Sequence, residues 1–220
     1  MQLGIGSDAL KVVVKVGGSV MNYPYELREI LKAISIYSER HSMLVVPGGG
    51  AFANTVRYYH TRKFLSDSAA HWLAIKCMGL TGAILADMQS ILSIYSGVDA
   101  LERWADGQSF IIQPYELLKF HDRLPHSWDV TSDSIAYWIG IEGDADVVIF
   151  LKSVNPFAKW FTVVQSETEP VKPKSFEYLV EKAIIDPYMV YLQSKFQGYF
   201  YVMNGLWPEN LAAILDVPEQ

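Results

Sequence analysis

A lysine inside an apolar run is the most unusual feature of this sequence. Lys15 interrupts the valines of residues 12–16, and Gly17, Gly18 and Ser19 follow the run directly. Because burying an unpaired ammonium costs far more than one strand gains, Lys15 must be paired or must reach out at the end of the strand. Glycines allow a sharp turn there and let a ligand approach the backbone amides. The segment therefore predicts a site for an oxyanion.

The sequence contains a second turn of the same kind. The apolar residues 43–46 lead into Pro47, Gly48, Gly49 and Gly50, and a helical pattern covers residues 51–63. A helix that begins on such a turn directs unpaired amide N–H groups and the positive end of its dipole at the ligand. Glycine turns after strands are also common in α/β proteins that bind no phosphate, so the embedded lysine is the stronger evidence for a site.

A second lysine and an aspartate complete the central candidates. Lys152 follows the apolar run 147–151, and Asp133 lies at the start of a helix predicted from about residue 132. Ligands of parallel sheets bind beyond the carboxyl ends of the strands, where both lysines and the glycine turns are expected. Two ammonium groups, backbone amides and an organising carboxylate suit phosphoryl transfer, which depends on positioning and charge stabilisation. GxxxxGK(S/T) is absent and no GxGxxG follows the first strand, which excludes a P-loop and the dinucleotide fingerprint.

The elements that must hold these residues alternate between strands and helices. Apolar side chains recur at helical spacing over residues 24–40, between the first two predicted strands. This βαβ order predicts an α/β fold with a mainly parallel sheet. Further strands are predicted at 110–112, 147–151, 161–164 and 199–203, a polar loop at 167–174, and further helices at 66–78, 83–95, 115–120, from 132, and at 175–183, 187–196 and 208–215. No linker is evident, so residues 1–220 are predicted to form one domain.

Composition limits the classes of function. Lys and Arg number 18 against 24 Asp and Glu, and the net charge of −6 argues against a general nucleic-acid binder. No uninterrupted apolar run of about 18 residues occurs, so no membrane span is predicted, and the first ten residues lack the features of a signal peptide. We therefore expect a cytoplasmic protein. The single Cys77 excludes an internal disulfide, and 13 Tyr, 10 Phe and 6 Trp provide apolar surface for a homo-oligomer.

Several of these segments resemble a known family. Residues 14–19 (VKVGGS) and 46–52 (VPGGGAF) resemble the glycine turns of the amino acid kinase superfamily. Thr131-Ser132-Asp133 falls where that superfamily has its central aspartate, and residues 202–205 (VMNG) resemble its last strand and turn. The resemblance implies a three-layer αβα sandwich around a mainly parallel sheet. It also implies an acceptor site mainly in the N-terminal half and a site for ATP and Mg²⁺ mainly in the C-terminal half.

A second resemblance is more specific. Residues 124–136 (LPHSWDVTSDSIA), with residues 68–72 (SAAHW) and 186–188 (DPY), resemble the members of the superfamily that act in methanofuran biosynthesis. Those kinases convert 5-(aminomethyl)furan-3-ylmethyl phosphate to its diphosphate with ATP, which implies a small phosphorylated acceptor here. Two alternatives remain open. One is a kinase of another acceptor, such as isopentenyl phosphate, a nucleoside monophosphate or an acyl amino acid; the other is a non-catalytic subunit that binds nucleotide or stores oxyanions.

The resemblance implies roles for individual residues. Lys15 would contact the bridging and leaving oxygens of the nucleotide, and Asp133 would organise the lysines. Lys152 is predicted to replace a lysine that the superfamily has later in the chain. The predicted phosphate- and nucleotide-binding residues are Gly17, Gly18, Ser19, Gly48, Gly49, Gly50, Ser153 and Asn155. Pro156 stands where many members have glycine, so the adenosine side is expected to be built differently.

Side-chain chemistry suggests how the acceptor binds. Arg57, on the helix after the triple glycine, matches a phosphate with its guanidinium fork. Asp129 would meet an ammonium, and Trp128 the furan ring or the cation. The predicted acceptor-binding residues are Arg57, His126, Trp128, Asp129 and Ser132. The alternative interpretation of residues 124–131 is a polar loop closed by a buried tryptophan. No direct protein ligand to a metal is predicted.

Overall fold

The central element of the protein is a six-stranded sheet. The computed structural model describes residues 9–89, 91–153 and 175–216. The strands are β1 Lys11–Val16, β2 Ser42–Pro47, β3 Ile94–Tyr95, β4 Phe110–Ile112, β5 Val147–Lys152 and β6 Tyr199–Asn204. All neighbouring strands are parallel, in the order β3-β4-β2-β1-β5-β6. The prediction of an α/β fold with a mainly parallel sheet is confirmed.

Helices cover both faces of the sheet. They are α1 Pro24–Tyr37, α2 Gly50–Thr61, α3 Asp67–Met88, α4 Ala100–Ala105, α5 Tyr115–His121, α6 Ser132–Glu142, α7 Phe176–Glu181, α8 Met189–Leu192 and α9 Glu209–Leu215, with 3-10 turns at Gly18–Asn22 and Gln193–Lys195. Apolar side chains of α1 and α9 form one core cluster with the sheet. Those of α4 to α8 form a second cluster on its other face. The result is the predicted three-layer αβα sandwich.

The pleat of the sheet decides which side chains reach the site. Val12 and Val14 of β1 belong to the α1-side cluster, whereas Val13 belongs to the α6-side cluster. Because side chains alternate along a strand, Lys15 points to the same face as Val13. Lys15 pairs in register with Phe150, and Lys152 lies two positions further along β5. Both lysines therefore leave the sheet on the α6 side, at its carboxyl edge.

Helix α3 differs most from the sequence prediction. Residues 67–88 form one continuous helix, although two helices interrupted by Gly79 and Gly82 were expected. A Cβ atom added at Gly82 would lie 3.2 Å from the side chain of Pro47, so this glycine allows close packing of the helix on β2. Ile94 and Tyr95 form the edge strand β3, where the second helix was expected to end. The short helix α4 was not predicted.

Helix α3 also has the length and apolar character, with a mean hydropathy of 1.4, that would allow it to cross a membrane. Half of its most apolar window is buried inside the protein. Ile75 and Met78 pack in the α6-side cluster and Leu85 in the α1-side cluster. Its composition is therefore accounted for by its position in the core.

The strand and loop predicted at 161–164 and 167–174, and Asn155, lie outside the described residues.

Candidate functional site

Two lysines and one aspartate meet at the carboxyl edge of the sheet. Lys15 Nζ, at the end of β1, lies 2.8 Å from Asp133 Oδ1, and Lys152 Nζ, at the end of β5, lies 2.7 Å from Asp133 Oδ2. The side chains of Lys15 and Asp133 are only 4% and 6% exposed. The structure thus brings together the three residues predicted to be catalytic, and it pairs the lysine whose burial was hard to explain from sequence.

The pKa values of Asp133 and Lys152 depend on burial and on the neighbouring charges. Burial alone would raise the pKa of Asp133, but Lys15 and Lys152 together hold it at about 2. Burial lowers the pKa of Lys152 to about 8, opposed by Asp133 and assisted by the like charge of Lys15. At neutral pH the group therefore consists of one carboxylate and two ammonium groups, with one net positive charge offered to an anion.

A second aspartate holds the start of α6, and with it Asp133. Thr131 is the N-cap residue, and its hydroxyl accepts a hydrogen bond from the Asp133 amide. The Asp186 carboxylate accepts from the amide and hydroxyl of Thr131 at 2.7 and 2.8 Å, and from the amide and hydroxyl of Ser134. Burial and the charge of Asp133 raise the pKa of Asp186, while these hydrogen bonds oppose the shift. Sequence reasoning quoted Asp186 only within a resemblance and gave it no role.

The two glycine turns pack directly against each other. A Cβ atom added at Gly18 would lie 2.7 Å from the backbone of Gly50, and one added at Gly48 would lie 2.7 Å from the amide nitrogen of Gly18. The amides of Gly17 and Gly48 donate to the carbonyl oxygens of Leu151 and Val16. This corrects the prediction for these two glycines, because their N–H groups join the turns to the sheet and are engaged there.

A cavity of about 420 Å³ opens above the lysine pair. Ten predicted site residues line it: Lys15, Gly18, Ser19, Gly49, Gly50, Arg57, Trp128, Ser132, Asp133 and Lys152. The predicted residues Gly17, Gly48, His126, Asp129 and Ser153 are not among its lining residues. Ser153 instead donates its hydroxyl to Ser19 Oγ at 2.6 Å, beside the first turn. The roles of the lining residues stay predictions.

A second group of lining residues comes from α2, α3 and the loop before α6. The guanidinium of Arg57 lies over the ring of Trp128, 4.3 Å from its centroid. Trp128 Nε1 donates to His60 Nδ1 at 3.0 Å, and His60 Nε2 lies 2.7 Å from Asp67 Oδ1. Asp67, Arg57 and Trp128 all line the cavity, so this group presents a cation, an aromatic ring and a carboxylate.

Two predicted acceptor residues lie elsewhere. The His126 ring stacks on His71 with a centroid separation of 4.3 Å, and its nitrogens contact Ser68 Oγ and Asp122 Oδ1. It therefore lies behind His71, which does line the cavity and whose pKa burial lowers to about 4. Asp129 is exposed, and its carbonyl accepts from the Tyr188 amide. The predicted contact of Asp129 with a substrate ammonium is not supported by this position.

Six polar residues that line the cavity were not predicted as site residues: Ser127 and Thr131 in the loop before α6, and a further four, Asn22, Asn54, Asp67 and His71. The last four lie on a 3-10 turn and on α2 and α3, and polar residues at such positions usually face solvent. Their position at the cavity results from the packing of α2 against α3 and the 3-10 turn, which a sequence pattern does not show. Within the described parts of the chain, no group of three His, Cys, Asp or Glu side chains is placed to hold a metal ion.

Comparison with known proteins agrees with this geometry. The family model described as "Amino acid kinase family" matches residues 11–160. The [5-(aminomethyl)furan-3-yl]methyl phosphate kinase of Methanocaldococcus jannaschii is 30% identical over 213 residues, which cover 93% of this chain and 92% of that protein. These matches confirm both resemblances found in the sequence, and the relatives confirm the prediction of a small-molecule kinase.

Solved structures support the fold. The uridylate kinase of Archaeoglobus fulgidus superposes with a TM-score of 0.64 at 20% identity, covering 94% of this chain and 96% of that one. The isopentenyl phosphate kinase of T. acidophilum superposes with a TM-score of 0.59 at 16% identity, covering 92% and 94% of the two chains. At these identities the likeness concerns the fold alone. The family match and the relative of 30% identity carry the assignment: this chain belongs to the amino acid kinase family.

Proposed function

We propose that this kinase transfers the γ-phosphoryl group of ATP to the phosphate of a small phosphate ester, and that the ester is [5-(aminomethyl)furan-3-yl]methyl phosphate. One observation carries the proposal: two lysines that share a carboxylate line the same cavity as an arginine, an indole and a second carboxylate. The relative that shares 30% identity is a kinase of that phosphate ester.

The two lysines suit the transferred group. A terminal oxygen of the acceptor phosphate, largely ionised near pH 7, attacks the γ-phosphorus, while the bond from that phosphorus to the β–γ bridging oxygen breaks and ADP leaves. This step needs positioning and charge stabilisation more than a base. Lys15 and Lys152 would bind the oxygens on which charge accumulates, and the start of α2 at Gly50 would direct amides at the same group. Mg²⁺ carried by ATP would neutralise β- and γ-phosphate charge; no protein ligand to it is proposed.

The second group of lining residues suits the acceptor. Arg57 makes no salt bridge with a carboxylate within the part of the chain that the structure describes, so its guanidinium is available for the acceptor phosphate. Trp128 is held in place by its hydrogen bond to His60 and offers an aromatic surface to the furan. Ser132 directly precedes Asp133 in the sequence and lines the same cavity.

An acceptor screen tests the proposal. We expect the purified protein to release ADP with [5-(aminomethyl)furan-3-yl]methyl phosphate at a kcat/KM about a hundredfold above that with isopentenyl phosphate or UMP, and phosphorus NMR to show the diphosphate product. Faster turnover of either other acceptor would assign this site to it. Binding of ATP without transfer to any acceptor would favour the non-catalytic, oxyanion-binding alternative.

We also propose that the protein is cytoplasmic and forms a homo-oligomer. The exposed side of α3 carries Leu73, Leu80 and Ile84, each more than a third exposed. Light scattering of the purified protein measures the oligomeric state, and a monomer at micromolar concentration would contradict the second proposal.

A further inference from the structure

The second group of lining residues contains a carboxylate with an unusual partner. Of the described carboxylates that line the cavity, Asp133 is bound by two lysines, whereas Asp67 is bound by the imidazole of His60. No lysine or arginine salt bridge to Asp67 occurs among the described residues. Asp67 is therefore the lining carboxylate that no lysine or arginine neutralises.

The hydrogen bonds of His60 determine the charge at this position. Trp128 Nε1 is always a donor, so His60 Nδ1 must accept and must carry no proton. The proton of the neutral imidazole is then on Nε2, which donates it to Asp67 Oδ1 at 2.7 Å. A neutral ring holds the carboxylate in place without cancelling its charge. Trp128 and His60 thus hold one carboxylate oxygen of Asp67 at the start of α3.

We propose that Asp67 binds the primary ammonium group of the acceptor and gives the enzyme its preference for an amine. The inference rests on the proposed function, which supplies an acceptor with a phosphate at one end and an aminomethyl group at the other. Arg57 and Asp67 line the same cavity and match these opposite charges. Asp67 and Asp129 are both exposed, and the Asp67 side chain is 76% exposed, but Asp67 lines the cavity whereas Asp129, which the sequence favoured for this role, does not.

A purely local role for Asp67 makes a different prediction. Asp67 lies in the first turn of α3, where a carboxylate stabilises the helix through its dipole. If that were its whole purpose, neutralising it would lower stability slightly and affect all acceptors alike. A contact with the ammonium would affect only acceptors that carry one.

The two roles are separated by a matched pair of acceptors, the aminomethyl furan phosphate and its hydroxymethyl analogue. We expect Asp67→Asn to reduce kcat/KM for the amine about tenfold, mainly through KM, and to leave kcat/KM for the alcohol unchanged. Asp67→Glu, which keeps the charge, should recover part of the preference. Asp129→Asn is the control and should leave the ratio of the two acceptors as in the wild type.

Equal losses with both acceptors in Asp67→Asn, or loss of the preference in Asp129→Asn, would overturn the inference. Calorimetric titration of the wild type adds a readout that does not depend on turnover: the amine should bind about tenfold more tightly than the alcohol, and equal affinities would contradict a contact with Asp67. Wild-type enzyme that phosphorylates neither furan would instead overturn the proposed function, and the inference with it. Thermal unfolding of each variant shows that a loss is not due to misfolding.

Discussion

Lys15 and Lys152 share one carboxylate, and this sharing determines how the site can bind an anion. Asp133 accepts from both ammonium groups, so each lysine is paired in spite of its burial. An ammonium has three N–H donors, and Asp133 engages at most two of them on either lysine. Donors therefore remain for phosphoryl oxygens, in a site where low exposure strengthens each interaction.

Replacing Lys15 tests this arrangement. We expect Lys15→Met, which keeps the length of the side chain, to lower kcat by about 10³- to 10⁵-fold, the range seen when a charge that stabilises the transferred phosphoryl group is removed. Lys11→Met is the matched control, because Lys11 lies at the other end of β1 and donates to the Gly143 carbonyl. Steady-state kinetics and the melting temperature of both variants decide the outcome. Near-normal turnover in Lys15→Met would remove this lysine from the mechanism.

We expect the charge of Lys152 to limit activity at alkaline pH. Its pKa of about 8 means that the ammonium loses its proton as the pH rises through 8. We expect kcat/KM for ATP to fall above that pH, and this fall to be absent in Lys152→Arg, whose guanidinium stays charged. An identical alkaline fall in both proteins would show that another group titrates.

Deprotonation of Lys152 does not by itself destabilise the fold. The pKa of Lys152 is lower in the folded protein than its ordinary value of 10.5, so between about pH 8 and 10.5 the unfolded chain binds more protons. The contribution of Lys152 to stability therefore rises with pH through this window. Circular dichroism across the same pH range separates the loss of activity from loss of fold.

Asp133 could be predicted from sequence, whereas Asp67 could not. Asp133 follows a threonine cap at the start of a helix next to a strand end, so its position at the sheet edge follows from the βαβ pattern. Asp67 also starts a helix, but α3 reaches the site from outside the sheet, through its packing on α2. A periodic pattern indicates which face of a helix is apolar; it does not indicate which polar residue faces a cavity between two helices. For the same reason His126 was predicted at the site in place of His71.

At the scale of secondary structure, Asp186 fixes the start of α6. We expect Asp186→Ala to lower the free energy of unfolding by about 3 kcal/mol, because it leaves the donors of the partly buried Thr131 and the buried Ser134 without their acceptor. Asp216→Ala is the control: that carboxylate also accepts two side-chain hydrogen bonds, but it is half exposed, and its loss should cost less than about 1 kcal/mol. Urea unfolding measures both, and similar losses would contradict a special role for Asp186.

We also expect turnover to depend on the close contact between the two glycine turns. Gly18→Ala places a methyl group 2.7 Å from the backbone of Gly50, so the turns must separate and turnover should fall at least about a hundredfold. Gly79→Ala meets only the side chain of Gln113 at 3.6 Å and lies in the middle of α3, where alanine should add about 0.5–1 kcal/mol of stability. Kinetics and melting curves of the two variants check this. Equal activities would show that the site tolerates separation of the turns.

Gly82 and strand β3 show why the secondary structure was only partly predictable from the sequence. A glycine inside a helical pattern usually predicts a break, yet Gly82 lies within α3, where the missing side chain leaves room for Pro47. The two-residue strand β3 has too short a pattern to detect, and its partner β4 defines it. The long valine run of β1, in contrast, is buried on both faces and was recognisable without any partner.

One sheet joins the N-terminal half of the chain to the C-terminal half. Strand β1 pairs with β2 on one side and with β5 on the other. The α6-side core cluster extends from Leu44 in β2 to Phe200 in β6. Unfolding either half would expose apolar surface of the other, so we propose that residues 1–220 unfold as one cooperative domain.

Calorimetry with and without ATP tests this proposal. We expect one transition, and ATP at a hundred times its Kd should stabilise the whole protein by about 2.7 kcal/mol, although it is proposed to bind mainly at the C-terminal half. Trp104 is buried in α4, where its Nε1 donates to the Ser42 carbonyl at 2.8 Å, so it reports on the N-terminal half. Its fluorescence change, assigned by difference from Trp104→Phe, should move to higher temperature by as much as the calorimetric midpoint does. Two transitions, with Trp104 in the one that ATP leaves unmoved, would mean that the halves fold separately and that the shared sheet does not couple them.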